Sequence, residues 1–291
     1  DNLLLATYLS SKCPVYFAPA MDLDMYIHPS TKNNLDQLQH FGNVMIPATS
    51  GELASGLVGE GRLAEPEDIL SFIEKDLLNK LPLKGKKVLL TAGPTYEAID
   101  PVRFIGNHSS GKMGFALAKK AANLGAEVIL ITGPSAETIQ HSFVKRIDVK
   151  SAEEMYAQAH LYYKDTDIAI LSAAVADYRP KNVAAQKIKK KEATIEIVLE
   201  KTKDILASLG EIKEHQLLVG FALETNNEAE NAKGKLKKKN LDLIVLNSLQ
   251  DKGAGFATDT NKITIIDKDL SMQTFDLKSK YAVAEDIMNA I

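Results

Sequence analysis

From Lys84 onward one pattern repeats: a short unbroken apolar run, a turn, then a stretch whose apolar residues recur at helical spacing. The runs are "KVLLTAG", "EVILITG", "DIAILSAA", "LLVGFAL" and "LDLIVLN"; the helical stretches are Lys112 to Leu124, Ala152 to Tyr163, one from Asp204, and Glu228 to Lys239. A strand that is apolar at every position is buried on both faces, as happens when helices cover both sides of a parallel sheet. The pattern predicts a doubly wound, mainly parallel α/β sheet, completed by "KITIID" and a helix from Tyr281 to Ile291.

Before that point the pattern is thin. Residues 1–83 offer one strand, "PVYFAPA", and two helical stretches, "STKNNLDQLQHFG" and Pro66 to Leu78, which is too little sheet for a complete α/β domain. The polar link "NKLPLKGKKVLL", with Pro82 and Gly85, sets a domain border near Lys84, giving 1–83 and 84–291. The first part reads as the tail of a domain, and Asp1 in place of Met reads as a cut from something longer.

A formal charge of -3 over 291 residues provides no global basic field for nucleic acid, so small anionic substrates fit better. Cys13 is the single cysteine, which excludes an intramolecular disulfide and agrees with the cytoplasm; it is expected to be a small core residue. No apolar run reaches the roughly 20 residues of a membrane span, and none of the six histidines stands at metal-ligand spacing from another.

The stretch "FIGNHSSGKMG", 104–114, has the Gly-x-x-x-x-Gly-Lys spacing of a phosphate loop, but Met113 stands where a magnesium-binding Ser or Thr is required. About 15 residues also intervene between Gly93 and its Ser-Ser-Gly helix start, whereas a Walker loop joins strand to helix directly. Ser109 and Ser110 are expected as N-caps, Gly111 and Gly114 as points of close backbone approach, and Lys112 as a point charge for phosphate. Arg103 and Asn107, four apart, suit joint orientation of a carboxylate or acyl-phosphate. The competing reading is an ordinary capped helix packed on the sheet.

"LLTAGPTYEAIDPVRFIGNHSSGKMGFALAKKAANLGAEVILITGP", then "AAVADYRP", "KIKKK", "VGFALET" and "KLKKKNLDLIVLN", run in order over about 200 residues. Together they resemble the phosphopantothenoylcysteine synthetase domain of the bacterial bifunctional coenzyme A biosynthesis family. Upstream, "APAMDLDMYIHPSTKNNL" and "GELASGLVGEGRLAEPEDI" resemble the end of that family's flavodoxin-like, FMN-dependent phosphopantothenoylcysteine decarboxylase half. The resemblance implies a Rossmann-like sheet and a CTP-dependent ligation of 4'-phosphopantothenate to L-cysteine through an acyl-cytidylate, with Mg2+ carried by the nucleotide. It implies intermediate contacts at Arg103, Asn107 and Ala174, with phosphate-bearing substrate at Ser109, Ser110, Gly111 and Lys112. The CTP positions would be Leu171, Ser172, Ala173, Asp177, Lys187, Lys203, Asp204, Ile205, Phe221, Lys235 and Lys239. Arg103 would shape the loop or neutralise phosphate, Asn107 would donate to the acyl oxygen, and Lys187 would stabilise the transferring phosphate. Lys235 and Lys239, four apart, are expected to share a helix face toward the triphosphate, while Lys189, Lys190 and Lys191 read as a solvated charge run.

The chain departs from the family at three places. Lys203-Asp204-Ile205 replaces Pro-Asp-Ile and loses a fixed φ. Asp22 replaces an Asn and only accepts hydrogen bonds when ionised. Ser55 replaces a proton-supplying Cys with a far weaker acid. The chain is therefore expected neither to bind FMN firmly nor to decarboxylate by itself. A homodimer through the ligase domain is expected, with higher assembly if the decarboxylase half is complete. The rival readings are a Rossmann-like NAD(P) oxidoreductase, which would need G-x-G-x-x-G where "TAGPT" stands, and a non-catalytic nucleotide-binding scaffold.

Overall fold

The structure is a computed structural model that describes residues 2–189, 194–224, 226–248 and 258–291. The chain forms two compact units, Asp1–Leu81 and Pro82–Ile291. Among the described residues no helix is long and apolar enough to cross a membrane.

In the larger unit the strands of the main sheet are β1 (Lys87–Ala92), β2 (Glu127–Thr132), β3 (Val144–Asp148), β4 (Ile168–Leu171), β5 (Leu217–Glu224), β6 (Leu243–Ser248), β7 (Ile263–Asp267) and β8 (Met272–Thr274). The helices are α1 (Lys112–Asn123), α2 (Ala152–Tyr163), α3 (Ile205–Glu211), α4 (Glu228–Lys238) and α5 (Lys280–Ala290). The strand order is 8-7-6-5-4-1-2-3. β1 to β6 run parallel, while β7 and β8 are added antiparallel.

Alternation along β1 explains its unbroken apolar run. Val88, Leu90 and Ala92 face a core shared with α1 and α5, through Phe115, Leu117, Ala118, Val283 and Ile287. Leu89 faces the other side, with Met155, Ala159 and Tyr163 of α2, Leu209 of α3, and Ala232 and Leu236 of α4. Every residue from Val88 to Leu90 is fully buried, so the central strand gains hydrophobic stabilisation on both faces. α2 is fixed at its start by a capping box between Ser151 and Glu154.

Two ribbons stand outside the main sheet. One is the hairpin Tyr96–Ala98 with Phe104–Gly106; the other pairs Tyr178–Pro180 with Leu199–Lys201. A further short ladder, Thr260–Asn261 with Lys278–Ser279, leads into α5.

The smaller unit contains helices Leu3–Ser10, Leu23–Ile27, Pro29–His40 and Pro66–Asn79. Its strands form a parallel pair, Tyr16–Phe17 with Val44–Met45, and a hairpin, Thr49–Glu52 with Val58–Arg62. Gly61 of the hairpin has φ +126°, and a Cβ there would lie 2.3 Å from the Met21 carbonyl oxygen, so the approach of the two segments requires glycine. Its buried hydrophobic residues are Ile46, Leu53 and Ala64, while Leu3, Leu4, Leu9, Phe41 and Val58 are exposed. Cys13 is exposed too, with its Sγ 3.3 Å from Ser11 Oγ. This corrects the expected core position: "PVYFAPA" forms only a two-residue strand, and Cys13 falls in the turn before it.

Candidate active site at the strand-order reversal

The chain winds outward from β1 through β2 to β3, then returns to place β4 on β1's other side. The carboxyl ends of β1 and β4 are therefore where the order reverses, the position at which open α/β sheets bind ligands. Residues 172–176 are zipped onto the end of β1. Ser172 Oγ donates to the Thr91 carbonyl (2.7 Å), the Ala174 amide to the Gly93 carbonyl (2.9 Å), and the Ala176 amide to Thr95 Oγ1 (2.9 Å).

The 96–106 hairpin is organised by the buried Asp100. Its Oδ1 accepts from the amides of Val102 (2.8 Å) and Arg103 (2.9 Å), and its Oδ2 from Arg103 Nε (3.0 Å), Arg103 Nη2 and the Ile188 amide (3.1 Å). The Arg103 guanidinium, helped by these amides, holds the Asp100 carboxyl well below the usual range. Arg103 Nη2 also donates to the Ile188 carbonyl (3.0 Å). In this structure Arg103 shapes the loop. Asn107 Nδ2 donates to the carbonyls of Val175 (2.9 Å) and Ala174 (3.4 Å), which puts its amide at the end of β4.

The start of α1 differs from expectation. Neither Ser109 nor Ser110 is the N-cap; Gly111 is, with φ +83°, and the helix opens at Lys112. The serines bend the turn instead: Ser109 Oγ accepts from the Gly111 amide at 3.3 Å, and Ser110 Oγ lies 3.5 Å from the Lys112 amide. A side chain at Gly114 would put its Cβ 2.5 Å from Ala92 Cβ and 2.9 Å from Ser172 Oγ. The helix start is thus pressed against the ends of β1 and β4. Lys112 forms an ion pair with Asp259, which raises the ammonium's pKa.

Two cavities open here. The smaller, about 150 Å³, is lined by the Ser109–Gly114 turn, Ser172, Ala173, Ala174, Phe221, Asn247, Asn261 and Lys280. The larger, about 510 Å³, is lined by Leu171, Ala173, Asp177, Lys203, Asp204, Ile205, Phe221 and Lys239. Ala173 and Phe221 are common to both. Asp204 caps α3 by accepting from the Ala207 amide (3.0 Å) and pairs with Lys239 Nζ (2.7 Å). Burial alone would raise the Asp204 pKa, but the Lys239 ammonium and the Ala207 amide outweigh it and lower it. Lys203 pairs with Glu153 (2.8 Å) and lies over the Tyr156 ring. Helix-capping Asp204 keeps this turn in place without the family's proline.

Three lysines divide differently from expectation. Lys239 lines the larger cavity, whereas Lys235 is exposed and lines neither. α4 ends at Lys238 and Lys239 is its C-cap, with its amide still donating to the Lys235 carbonyl at 3.0 Å; the Lys239 side chain is held at the larger cavity by its pairing with Asp204. Lys187 is exposed and lines neither cavity, although the next residue, Ile188, is tied to Asp100 and Arg103. Lys190 and Lys191 lie outside the described residues. Asn247, Asn261 and Lys280 line the smaller cavity without having been singled out by sequence. The only cue was a polar Asn247 closing the apolar run of β6.

In the smaller unit, Asp22 caps the helix Leu23–Ile27, and its Oδ1 accepts from Ser55 Oγ at 2.9 Å. The two departures from the family pattern are bonded to each other.

A mainly parallel sheet with a glycine-opened helix at its order reversal defines a class of α/β proteins that seat phosphorylated ligands at strand ends. This chain belongs to the DNA/pantothenate metabolism flavoprotein family: the profile of that family's C-terminal domain matches residues 83–291, and a Flavoprotein profile matches residues 1–78. A Cysteine/Cysteine sulfinic acid decarboxylase from an unknown prokaryotic organism is 53% identical over 296 residues, covering 100% of this chain and 82% of the relative. The Coenzyme A biosynthesis bifunctional protein CoaBC of Bacillus subtilis is 46% identical over 293 residues, covering 100% of this chain and 72% of the relative. Among solved structures, the C-terminal domain of a Coenzyme A biosynthesis bifunctional protein CoaBC is similar with a TM-score of 0.62 and 44% identity, over 72% of this chain and 96% of that one.

Proposed function

We propose that the larger unit is a Rossmann-like, CTP-dependent ligase of coenzyme A biosynthesis that joins 4'-phosphopantothenate to L-cysteine. The observation that carries this reading is the pair of cavities at the strand-order reversal, sharing Phe221 and Ala173. Family membership supports it and disfavours the oxidoreductase reading.

The chemistry has two displacements. A carboxylate oxygen of 4'-phosphopantothenate attacks the α-phosphorus of CTP; the bond to the β-phosphate oxygen breaks, and pyrophosphate leaves with the electron pair. The amine nitrogen of L-cysteine then attacks the acyl carbon, the bond to the CMP oxygen breaks, and the nitrogen loses its extra proton to solvent. Both steps rest on positioning and on stabilising displaced charge. In the larger cavity Asp177 accepts from ribose or base, Leu171 and Ala173 supply backbone contacts, Phe221 flanks the base, and Lys239 meets phosphate, while Ser172 contributes from the adjoining wall of the smaller cavity. Asn107 at the end of β4 turns from its carbonyl partners to the acyl oxygen, with Ala174 beside it. Lys187 and Lys235 are assigned to phosphate by the family motif, and substitution to alanine tests each.

Mg2+ would be carried by the phosphates of the nucleotide, as the resemblance implies. Residues 1–78 match the Flavoprotein profile. Their described strands are one two-residue parallel pair and one hairpin, and none of their helices opens on a glycine. That match and the CoaBC relatives support FMN in the full-length protein.

The test is pyrophosphate release by the chain with 4'-phosphopantothenate and either CTP or ATP, with and without L-cysteine. Substrate-dependent release that prefers CTP and falls about 10²- to 10³-fold in Asn107→Ala supports the ligase. No release with either nucleotide from folded protein rejects it, and release of CO2 from cysteine sulfinate would favour the activity named for the 53% identical relative.

A further inference from the structure

The smaller cavity has a wall to which the ligation reading gives no task. Lys280, the first residue of α5, lines it with Asn261 and with Asn247 of β6. The ladder that pairs Asn261 with Lys278 and Thr260 with Ser279 sets Asn261 beside the start of α5. Asn261 is 1% exposed, and its Oδ1 has no hydrogen-bond partner; Asn247 Oδ1 is likewise buried and unpartnered. Lys280 is 8% exposed, with its Nζ anchored on the Thr258 carbonyl at 2.6 Å.

This wall is costly without a ligand. Buried carboxamide oxygens without partners lose the hydrogen bonds that water would give them. Burial, then the neighbouring Lys112, lowers the Lys280 pKa, against the opposing pull of Asp259 and Glu137. The N-termini of α1 and α5 both open on this cavity, and each adds partial positive charge. An anion bearing several oxygens would meet the Lys280 ammonium and the two helix starts directly, and would accept from the Asn247 and Asn261 NH2 groups once those carboxamides turn toward it. The cavity's 150 Å³ is well below the roughly 300–1,000 Å³ typical of pockets for drug-sized ligands, and it suits two phosphoryl groups better than a nucleoside.

We infer that Lys280, with Asn261 and Asn247, seats the departing diphosphate of the nucleotide. The inference rests on the ligation reading for the identity of that nucleotide. The nucleoside occupies the larger cavity, the α-phosphate lies at the shared wall of Ala173 and Phe221, and the β- and γ-phosphates enter the smaller one. When the α-phosphorus to oxygen bond breaks, the electron pair leaves on pyrophosphate, and the Lys280 ammonium meets that charge. A half-turn of either carboxamide presents its NH2 group to phosphate oxygen.

The experiment is calorimetric titration of the full chain with inorganic pyrophosphate and, separately, with CMP and with CTP, for wild type, Lys280→Met and Asn261→Asp, with folding checked by thermal melts. Wild type binds all three. Lys280→Met weakens pyrophosphate by about 10- to 100-fold and leaves CMP within about twofold, because CMP lacks the two phosphates this wall holds. Asn261→Asp shifts pyrophosphate in the same direction by repulsion, and decides the question alone if Lys280→Met does not fold. CMP binding with pyrophosphate affinity unchanged in the folded variants overturns this inference and leaves the ligation reading standing. Wild type that binds neither CMP nor CTP overturns both.

Discussion

Asp100 shows how much one side chain decides at the residue scale. Its two oxygens tie the turn at Val102 and Arg103 to Ile188, and so orient the hairpin that leads into Asn107. Because Arg103 lowers its folded-state pKa from the ordinary 3.8, its stabilisation is fully present above that value and is lost as pH falls below it. Asp100→Asn is therefore expected to lower the melting temperature at pH 7, with the gap to wild type closing as melts are taken down toward pH 2. A gap that persists at low pH would show that the charge is not what holds the turn. The sequence pointed to Arg103 and Asn107 because guanidinium and amide groups in a turn-rich loop suggest anion binding. It did not point to Asp100, since an Asp in a turn usually serves its own backbone. Nor did it point to Lys280, which resembles surface charge at a helix start until α5 is placed against the cavity.

At the scale of elements, the approach of α1 to the sheet controls the site. Gly114→Ala would put a methyl group into Ala92 and Ser172, and overpacking of this kind costs about 1–3 kcal/mol. Urea denaturation is expected to show that loss, while pyrophosphate release falls further because the Ser109–Gly111 turn moves with the helix. Equal losses in stability and activity in Gly111→Ala, which forces Cβ onto a φ of +83°, would mean that the turn has no special role. α2 was legible to the residue because a capping box and apolar periodicity agree. β3 was not: "VKRID" is an edge strand, half-exposed and interrupted by Lys145 and Arg146, and charge on an edge hides a strand from any apolar pattern. The two ribbons were missed for a similar reason, being held by turns and cross-links rather than by a buried face.

For the whole molecule, the two units have unequal means of support. The larger has a core on both faces of its sheet, so residues 82–291 expressed alone are expected to melt cooperatively and keep pyrophosphate release within about twofold; loss of either would tie the ligase to residues 1–81. Exposed Val102, Phe104, Ile195 and Val198 lie on or beside the two ribbons, and they are where the dimer expected from the sequence would make contact. Val198→Lys is expected to shift the sedimentation coefficient from dimer to monomer, and an unshifted dimer would place the contact elsewhere. The packing of α1 against α5 brings together segments some 160 residues apart in the chain. During synthesis at about 5–20 residues per second, α1 emerges roughly 10–30 seconds before its partner. Over that interval the apolar side of α1 that α5 will cover has no shelter within its own chain, and the smaller cavity lacks its Lys280 wall. A ribosome that stalls between residues 275 and 280 therefore leaves α1 uncovered although all eight strands of the sheet have been made, and such a chain is a client for chaperones.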